Sequence, residues 1–191
     1  MNVILASQSP RRRELLGMTG LDFIVRVADI DETMDPKGSA FVEVARVSRR
    51  KALAVPREPG DVVIAADTIV VCDGRVLGKP KDEEDAFEML SMLSGRFHEV
   101  MTGITVLRDR EIITHTETTR VHFRRLLPEE IRAYIATGEP MDKAGAYGIQ
   151  GGAAFFIDEI MGDYYNVMGL PLCCLGTILR ELKLPVWGVQ A

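Results

Sequence analysis

Three consecutive arginines follow a serine-rich turn near the start of the chain, Ser7-Gln8-Ser9-Pro10-Arg11-Arg12-Arg13. Ser9 and Pro10 are residue types that open a helix, as cap and first-turn residue. Unpaired amides at a helix start attract anions, and a guanidinium adds a planar donor fork matched to phosphate oxygens. The segment reads either as a phosphate-binding start or as a capped helix with a solvated basic turn.

Asp67 interrupts the most apolar stretch of the chain, Val62-Val63-Ile64-Ala65-Ala66-Asp67-Thr68-Ile69-Val70-Val71. A carboxylate in such a strand is costly without a partner, so it must be paired, hold a cation or emerge at a cleft. It is either a hydrogen-bonded structural Asp at a strand end or a functional carboxylate that binds a divalent cation or orients water toward phosphorus. Asp31 and Glu32 lie in a separate acidic turn; either one reaches the same cation, or both are simply solvated. Lys51, Lys79 and Lys143 are compact cationic charges suited to a triphosphate if their loops fold inward. The Gly78-Lys79-Pro80 sequence is not a phosphate-binding P-loop, because the preceding glycine spacing and the following Ser or Thr are missing. No G-x-G-x-x-G follows the first strand, which argues against a dinucleotide site. Residues 145–152 are glycine-rich, and they either bring backbone and Gln150 close to a base or sugar or form a tight structural loop.

These residues need a scaffold. Val3 to Ala6 reads as a short strand leading into a helix whose buried stripe begins at Leu15 and Leu16. Phe23 to Ala28 reads as a second strand, and Phe41, Val44, Ala45 and Val47 as a helix ending before Pro56. The apolar run from Val62 marks a buried strand, with Asp73-Gly74 turning it back into Arg75-Val76-Leu77. A helix is expected over 83–93, two long antiparallel strands over 97–108 and 111–124, and a short helix from Pro128. The four-glycine stretch 142–152 should be turns, Ala153 to Ile157 a strand, Tyr164 to Pro171 a glycine-bearing loop, and Leu172 to Leu184 the last helix.

With 191 residues and 47% apolar content, the chain can bury a full core, as one domain over 1–191 or two closely joined lobes. A net charge of −5 makes a nucleic-acid polymer a poor partner. No apolar stretch approaches the ~20 residues of a membrane span, so no membrane association is expected. The apolar run Val3 to Ala6 is too short for a signal-peptide core, and a reducing cytoplasm fits best. Cys72, Cys173 and Cys174 have no metal-ligand spacing, and His98, His115 and His122 are scattered along the chain. The cysteines are assigned to packing at a strand end and along the last helix.

Six segments occur in one order along the chain: ILASQSPRRRELL at 4–16, DIDET at 29–33, AADTIVV at 65–71, LGKPKDEEDAFEMLSMLSG at 77–95, HEVMTGITV at 98–106, and DKAGAYGIQGGAAFFIDEIMGDYYNVMGLPL at 142–172. On these the sequence closely resembles the Maf or Maf-like nucleotide pyrophosphatases, especially their dTTP/UTP pyrophosphatase branch. The resemblance implies an α/β fold with a strongly curved mixed sheet flanked by helices, two lobes around a nucleotide-binding cleft, and a homodimer. It implies hydrolysis of a nucleoside triphosphate to the monophosphate and pyrophosphate with a divalent cation, Mg²⁺ or Mn²⁺. The family's proton-accepting Asp falls on Asp67 and its acidic residue after the second strand on Glu32, the two expected metal ligands. The family's polar and cationic positions match Ser7, Arg12, Lys51, Lys79 and Lys143; the resemblance implies a catalytic role for Lys79 beside Asp67 and Glu32, and substrate binding for the others.

Substrate preference in the resembled family is carried by positions matching Arg11, Thr68 and Gln150, and the pyrimidine-type residues stand at all three. The related 7-methyl-GTP branch tends to carry Trp, Gln and Glu there; an indole stacks where a guanidinium donates, and a glutamate accepts where Gln150 also donates. A modified-purine pyrophosphatase is the nearest alternative, and a nucleotide-responsive regulator of septum formation the non-enzymatic one. Arg50, within the SRRKA segment, occupies a position that varies in the family.

Overall fold

The computed structural model describes residues 2–184. Their contacts divide into two compact units, the first made of residues up to 67, 102–117 and from 169 onward, the second of residues 68–101 and 118–168.

The first unit opens with β1 (Val3–Leu5), α1 (Pro10–Met18), β2 (Phe23–Val25), α2 (Ala40–Ala54) and the first half of β3 (Val62–Cys72). β1 lies between β2 and β3 and is parallel to both, with Ile4 opposite Ile24 and Val63. Parallel neighbours need long crossovers, and α1 and α2 supply them. A strand covered on both faces has no use for alternation, which explains why Val62 to Ala66 are all essentially inaccessible. Ile4, Ala6, Ala52, Val55, Val63, Ala65 and Leu107 form one cluster of this core. Asp61 starts β3 by accepting the Asn2 and Glu58 backbone N–H groups at 2.8 and 3.1 Å. The last helix, α6 (Leu172–Glu181), also belongs here.

The second unit contains the end of β3, then β4 (Arg75–Leu77), α3 (Glu83–Leu93), α4 (Pro128–Ile135), β7 (Ile157–Met161) and α5 (Tyr164–Met168). Two long strands, β5 (Phe97–Arg108) and β6 (Glu111–Phe123), contribute residues to both units. Among the described residues, seven strands form one mixed sheet in the order β2-β1-β3-β5-β6-β7, with β4 antiparallel to the end of β3. Asp73 and Gly74 both take positive φ, 49° and 75°, as the tight hairpin between β3 and β4 requires. Phe123 anchors the core of this unit, with His98, Tyr147 and Phe156 set against its ring at centroid distances of 5.1, 4.9 and 6.0 Å.

Four expectations need correction. Residues 152–155 form a 3-10 turn rather than the start of a strand, and β7 begins only at Ile157. Short alanines let the preceding glycine turn continue, with Ala154 and Phe156 N–H groups bonded to the Gly151 and Ala153 carbonyls. β2 ends at Val25, not Ala28. Residues 164–168 form the short α5 within what read as loop, too brief to display a helical period. α6 stops at Glu181, and Lys183 takes a left-handed φ of 51°. Among the described residues no helix is long and apolar enough to cross a membrane.

Candidate active site

In the first unit the β1–α1 turn folds as its residue types require. Ser9 is extended and its hydroxyl accepts the Arg12 N–H at 3.4 Å, with Pro10 in the first helical turn. The Ser7 hydroxyl is buried and takes the Ser9 N–H at 3.2 Å and an Arg12 guanidinium N–H at 3.3 Å. Arg12 Nε donates to the Gly169 carbonyl at 2.7 Å. The guanidinium is thus directed by contacts at two remote points of the sequence. Burial lowers its pKa from the ordinary arginine value; the Asp67 charge opposes this, Arg11 adds to it, and Glu32 opposes it. Arg12 therefore sits in the field of Asp67 and Glu32.

Lys51 joins those acids directly. Its Nζ lies 2.7 Å from Asp67 Oδ1 and 2.9 Å from Glu32 Oε2. The lysine stands on α2, and α2 is held closely against β5. A Cβ on Gly103 would come 2.4 Å from the Val44 carbonyl oxygen, so only glycine admits this approach. One turn before Lys51, the Ser48 hydroxyl bonds the buried Thr105 hydroxyl at 2.8 Å. The acidic turn is tied to the same helix, because Arg50 Nη2 donates to the Thr33 carbonyl at 2.9 Å. Of the turn's two acids, Asp31 is used locally. Its carboxylate accepts the Thr33 hydroxyl and N–H, which holds its pKa below the usual carboxylate value. Glu32 is the one that reaches Lys51.

Thr68, Lys79, Lys143 and Gln150 belong to the second unit. Gly145 N–H donates to the Gly78 carbonyl at 3.0 Å, fastening the glycine-rich loop beside Lys79. Val70 packs under Gly145, close enough that a Cβ there would lie 2.9 Å from Val70 Cγ2. Thr68 is two residues earlier on β3, hence on the Val70 face. Lys143 Nζ donates to the Glu139 carbonyl at 2.7 Å and to Asp142 Oδ1 at 2.6 Å. Lys79 and Gln150 are exposed.

Glu139 escaped the sequence reading. Its carboxylate accepts the Tyr134 hydroxyl at 2.8 Å and the Gly152 N–H at 2.9 Å, clamping the loop that carries Gln150. Burial and this bond both raise the Tyr134 pKa, so the phenol remains a donor. The only signal available was an acid close to a glycine run. Nor could residue types reveal the Gly169 carbonyl as a partner of Arg12.

A parallel β-α-β-α-β half that gathers a guanidinium, an ammonium, a hydroxyl and two carboxylates defines an α/β protein equipped for an anionic, phosphorylated ligand. The Maf-like protein profile matches residues 2–182, and the chain belongs to that family. It is 52% identical over 187 residues to the dTTP/UTP pyrophosphatase of Symbiobacterium thermophilum, covering 97% of this chain and 96% of that one. It is 52% identical over 184 residues to the dTTP/UTP pyrophosphatase of Geotalea uraniireducens, covering 95% of each. The Ham1 protein of Staphylococcus aureus shares the fold, with a TM-score of 0.52 over 96% of this chain and 100% of that chain at 17% identity.

Proposed function

We propose that this protein hydrolyses dTTP and UTP to the nucleoside monophosphate and pyrophosphate. The observation that carries the reading is the Lys51 ammonium held between Asp67 and Glu32, within the field of Arg12. Relatives near 52% identity over almost the whole chain are named for this activity, which supports the substrate class.

Two carboxylates converging on one ammonium are also a hard-oxygen donor set suited to Mg²⁺ or Mn²⁺. When bound, such a cation neutralises phosphate oxygens and polarises the phosphorus they surround. Asp67 and Glu32 are the residues that would hold it. Arg12 and Lys51 reduce the repulsion between a polyanion and its nucleophile, while the Ser7 hydroxyl and the Arg11 N–H at the start of α1 bind phosphate oxygens. Water attacks the α-phosphorus, its proton passes to Asp67, the bond from that phosphorus to the α,β-bridging oxygen breaks, and pyrophosphate leaves. Lys79 and Lys143 are assigned to phosphate charge, and Arg11, Thr68 and Gln150 to the base. A cytoplasmic homodimer completes the reading; the thiols of Cys72 and Cys173, which form no disulfide, fit a reducing compartment.

Incubation with dTTP, UTP, CTP, GTP and 7-methyl-GTP, each with Mg²⁺ or Mn²⁺, followed by identification of products, tests the proposal. Monophosphate and pyrophosphate from dTTP and UTP are expected. Release of diphosphate and orthophosphate, or turnover confined to a purine nucleotide, would overturn it.

A further inference from the structure

Away from the carboxylate pair, the first unit brings together three side chains that are far apart in sequence. His115, Glu117 and Cys174 each direct one donor atom to a common place, and the three atoms all lie within 4.8 Å of one another. We infer that they form a binding site for a borderline-soft divalent cation of the Zn²⁺ class, built from residues other than Asp67 and Glu32.

The backbone prepares this arrangement. His115 and Glu117 are two apart on β6 and so project from one face, while Thr116 between them points the other way and donates to the Phe41 carbonyl at 2.9 Å. Cys174 stands in the first turn of α6, which brings its sulfur to the histidine and glutamate. Its neighbour Cys173 is exposed and not part of the group.

The donor types choose the metal. Imidazole nitrogen, carboxylate oxygen and thiolate sulfur are the ligands Zn²⁺ takes, whereas Mg²⁺ and Ca²⁺ take oxygen. Around a tetrahedral zinc, usual bond lengths put neighbouring donor atoms about 3.4–3.6 Å apart. His115 Nε2 and Glu117 Oε2 are already 3.8 Å apart. Their side chains are 53% and 32% exposed, free to turn by the few tenths of an ångström that this pair needs and by up to about 1.2 Å toward the sulfur, and solvent access leaves a fourth position for water. Binding exchanges the Cys174 thiol proton for the metal–sulfur bond and links β6 to α6.

The test uses Co²⁺ as a spectroscopic substitute, added to the full-length reduced protein with Mg²⁺ in excess to occupy hard-oxygen sites. One equivalent should produce a thiolate-to-cobalt charge-transfer band that Zn²⁺ abolishes by competition. Cys174→Ser should remove the band, and His115→Ala should weaken binding roughly 10–100-fold or more, at least the loss typical of removing an outer-shell partner. Cys173→Ser should retain both band and affinity. Far-ultraviolet circular dichroism establishes that each variant is folded. Absence of the band in the parent, its survival in folded Cys174→Ser, or its loss in folded Cys173→Ser would overturn the inference.

Discussion

Lys51 and Asp67 form a 2.7 Å ion pair in which both side chains are largely shielded, 14% and 13% exposed. The second acid on the same ammonium, Glu32, is 58% exposed. The difference separates their roles: Asp67 is fixed at its strand position, and Glu32 is an adjustable arm from a turn. Under the proposed function, a cation and a triphosphate arriving together would replace the lysine at the carboxylates and give its ammonium a phosphate to bind.

Asp67→Asn keeps the side-chain shape and removes both charge and proton-accepting capacity. The variant should fold and hydrolyse dTTP about 10²–10⁴-fold more slowly, the range for losing a positioned acid-base group. Glu32→Gln should cost less in turnover at saturating metal and shift the metal dependence to higher concentration. Initial rates across Mg²⁺ concentrations, with thermal melts of each variant, make the comparison. A folded Asp67→Asn variant with near-parental turnover would remove Asp67 from the chemistry.

Base selection is expected to follow Arg11, Thr68 and Gln150. Gln150→Glu exchanges a donor and acceptor for an acceptor alone, and a lost hydrogen bond in a discriminating site costs about 1–3 kcal/mol. The ratio of kcat/KM for UTP over CTP should therefore change by roughly tenfold or more, while Mg²⁺ dependence stays as in the parent. Competition between the two nucleotides measures that ratio directly. An unchanged ratio in all three single variants would place base recognition elsewhere.

The glycine-rich loop should depend on Glu139. Glu139→Ala removes the acceptor of the Tyr134 hydroxyl and the Gly152 N–H, at a cost of about 1–3 kcal/mol. For a chain of this size that corresponds to a fall in Tm of about 3–10 °C. Because Tyr134 and Glu139 share one bond, the double variant with Tyr134→Phe should lose less than the sum of the singles. Calorimetry of the cycle checks this, and strict additivity would show that the clamp carries no coupling.

Much of the fold was legible because its elements carry strong local rules. Ser9-Pro10 opens α1, the unbroken apolar run of β3 marks a doubly covered strand, and Asp73-Gly74 forms the hairpin. The errors fall where local pattern is weak, as in Ala153 to Phe155, apolar without strand alternation, and α5, only five residues long. Of the site, sequence picked out Ser7, Arg12, Glu32, Lys51 and Asp67, and the structure gathers these in one unit. What remained hidden depends on through-space meetings that residue types do not encode: Arg12 with the Gly169 carbonyl, Arg50 with the acidic turn, and His115 with Cys174.

Acid stability should be set in part by His98. The ring is 2% exposed, stands edge-on to Phe123, and its Nε2 is 2.7 Å from the Tyr147 hydroxyl. Burial, and secondarily the His122 charge, lowers its pKa to about 4. In the unfolded chain the imidazole takes its proton below about pH 6.5. Between these values the unfolded state binds more protons, so stability rises with pH; it is fully present above the unfolded value and lost as pH falls toward 4. The two pKa values imply about 3 kcal/mol over that window. Tyr147 does not offset this, because burial raises its pKa and the phenol stays neutral throughout. His98→Gln keeps a polar partner for that hydroxyl and removes the titration, so its unfolding free energy should have a shallower pH slope between 6.5 and 4 than the parent's. Denaturant unfolding at half-unit pH intervals resolves the difference, since carboxylates titrating in the same range act on both proteins alike. Parallel curves would mean that His98 takes up its proton in the folded protein as readily as in the unfolded chain.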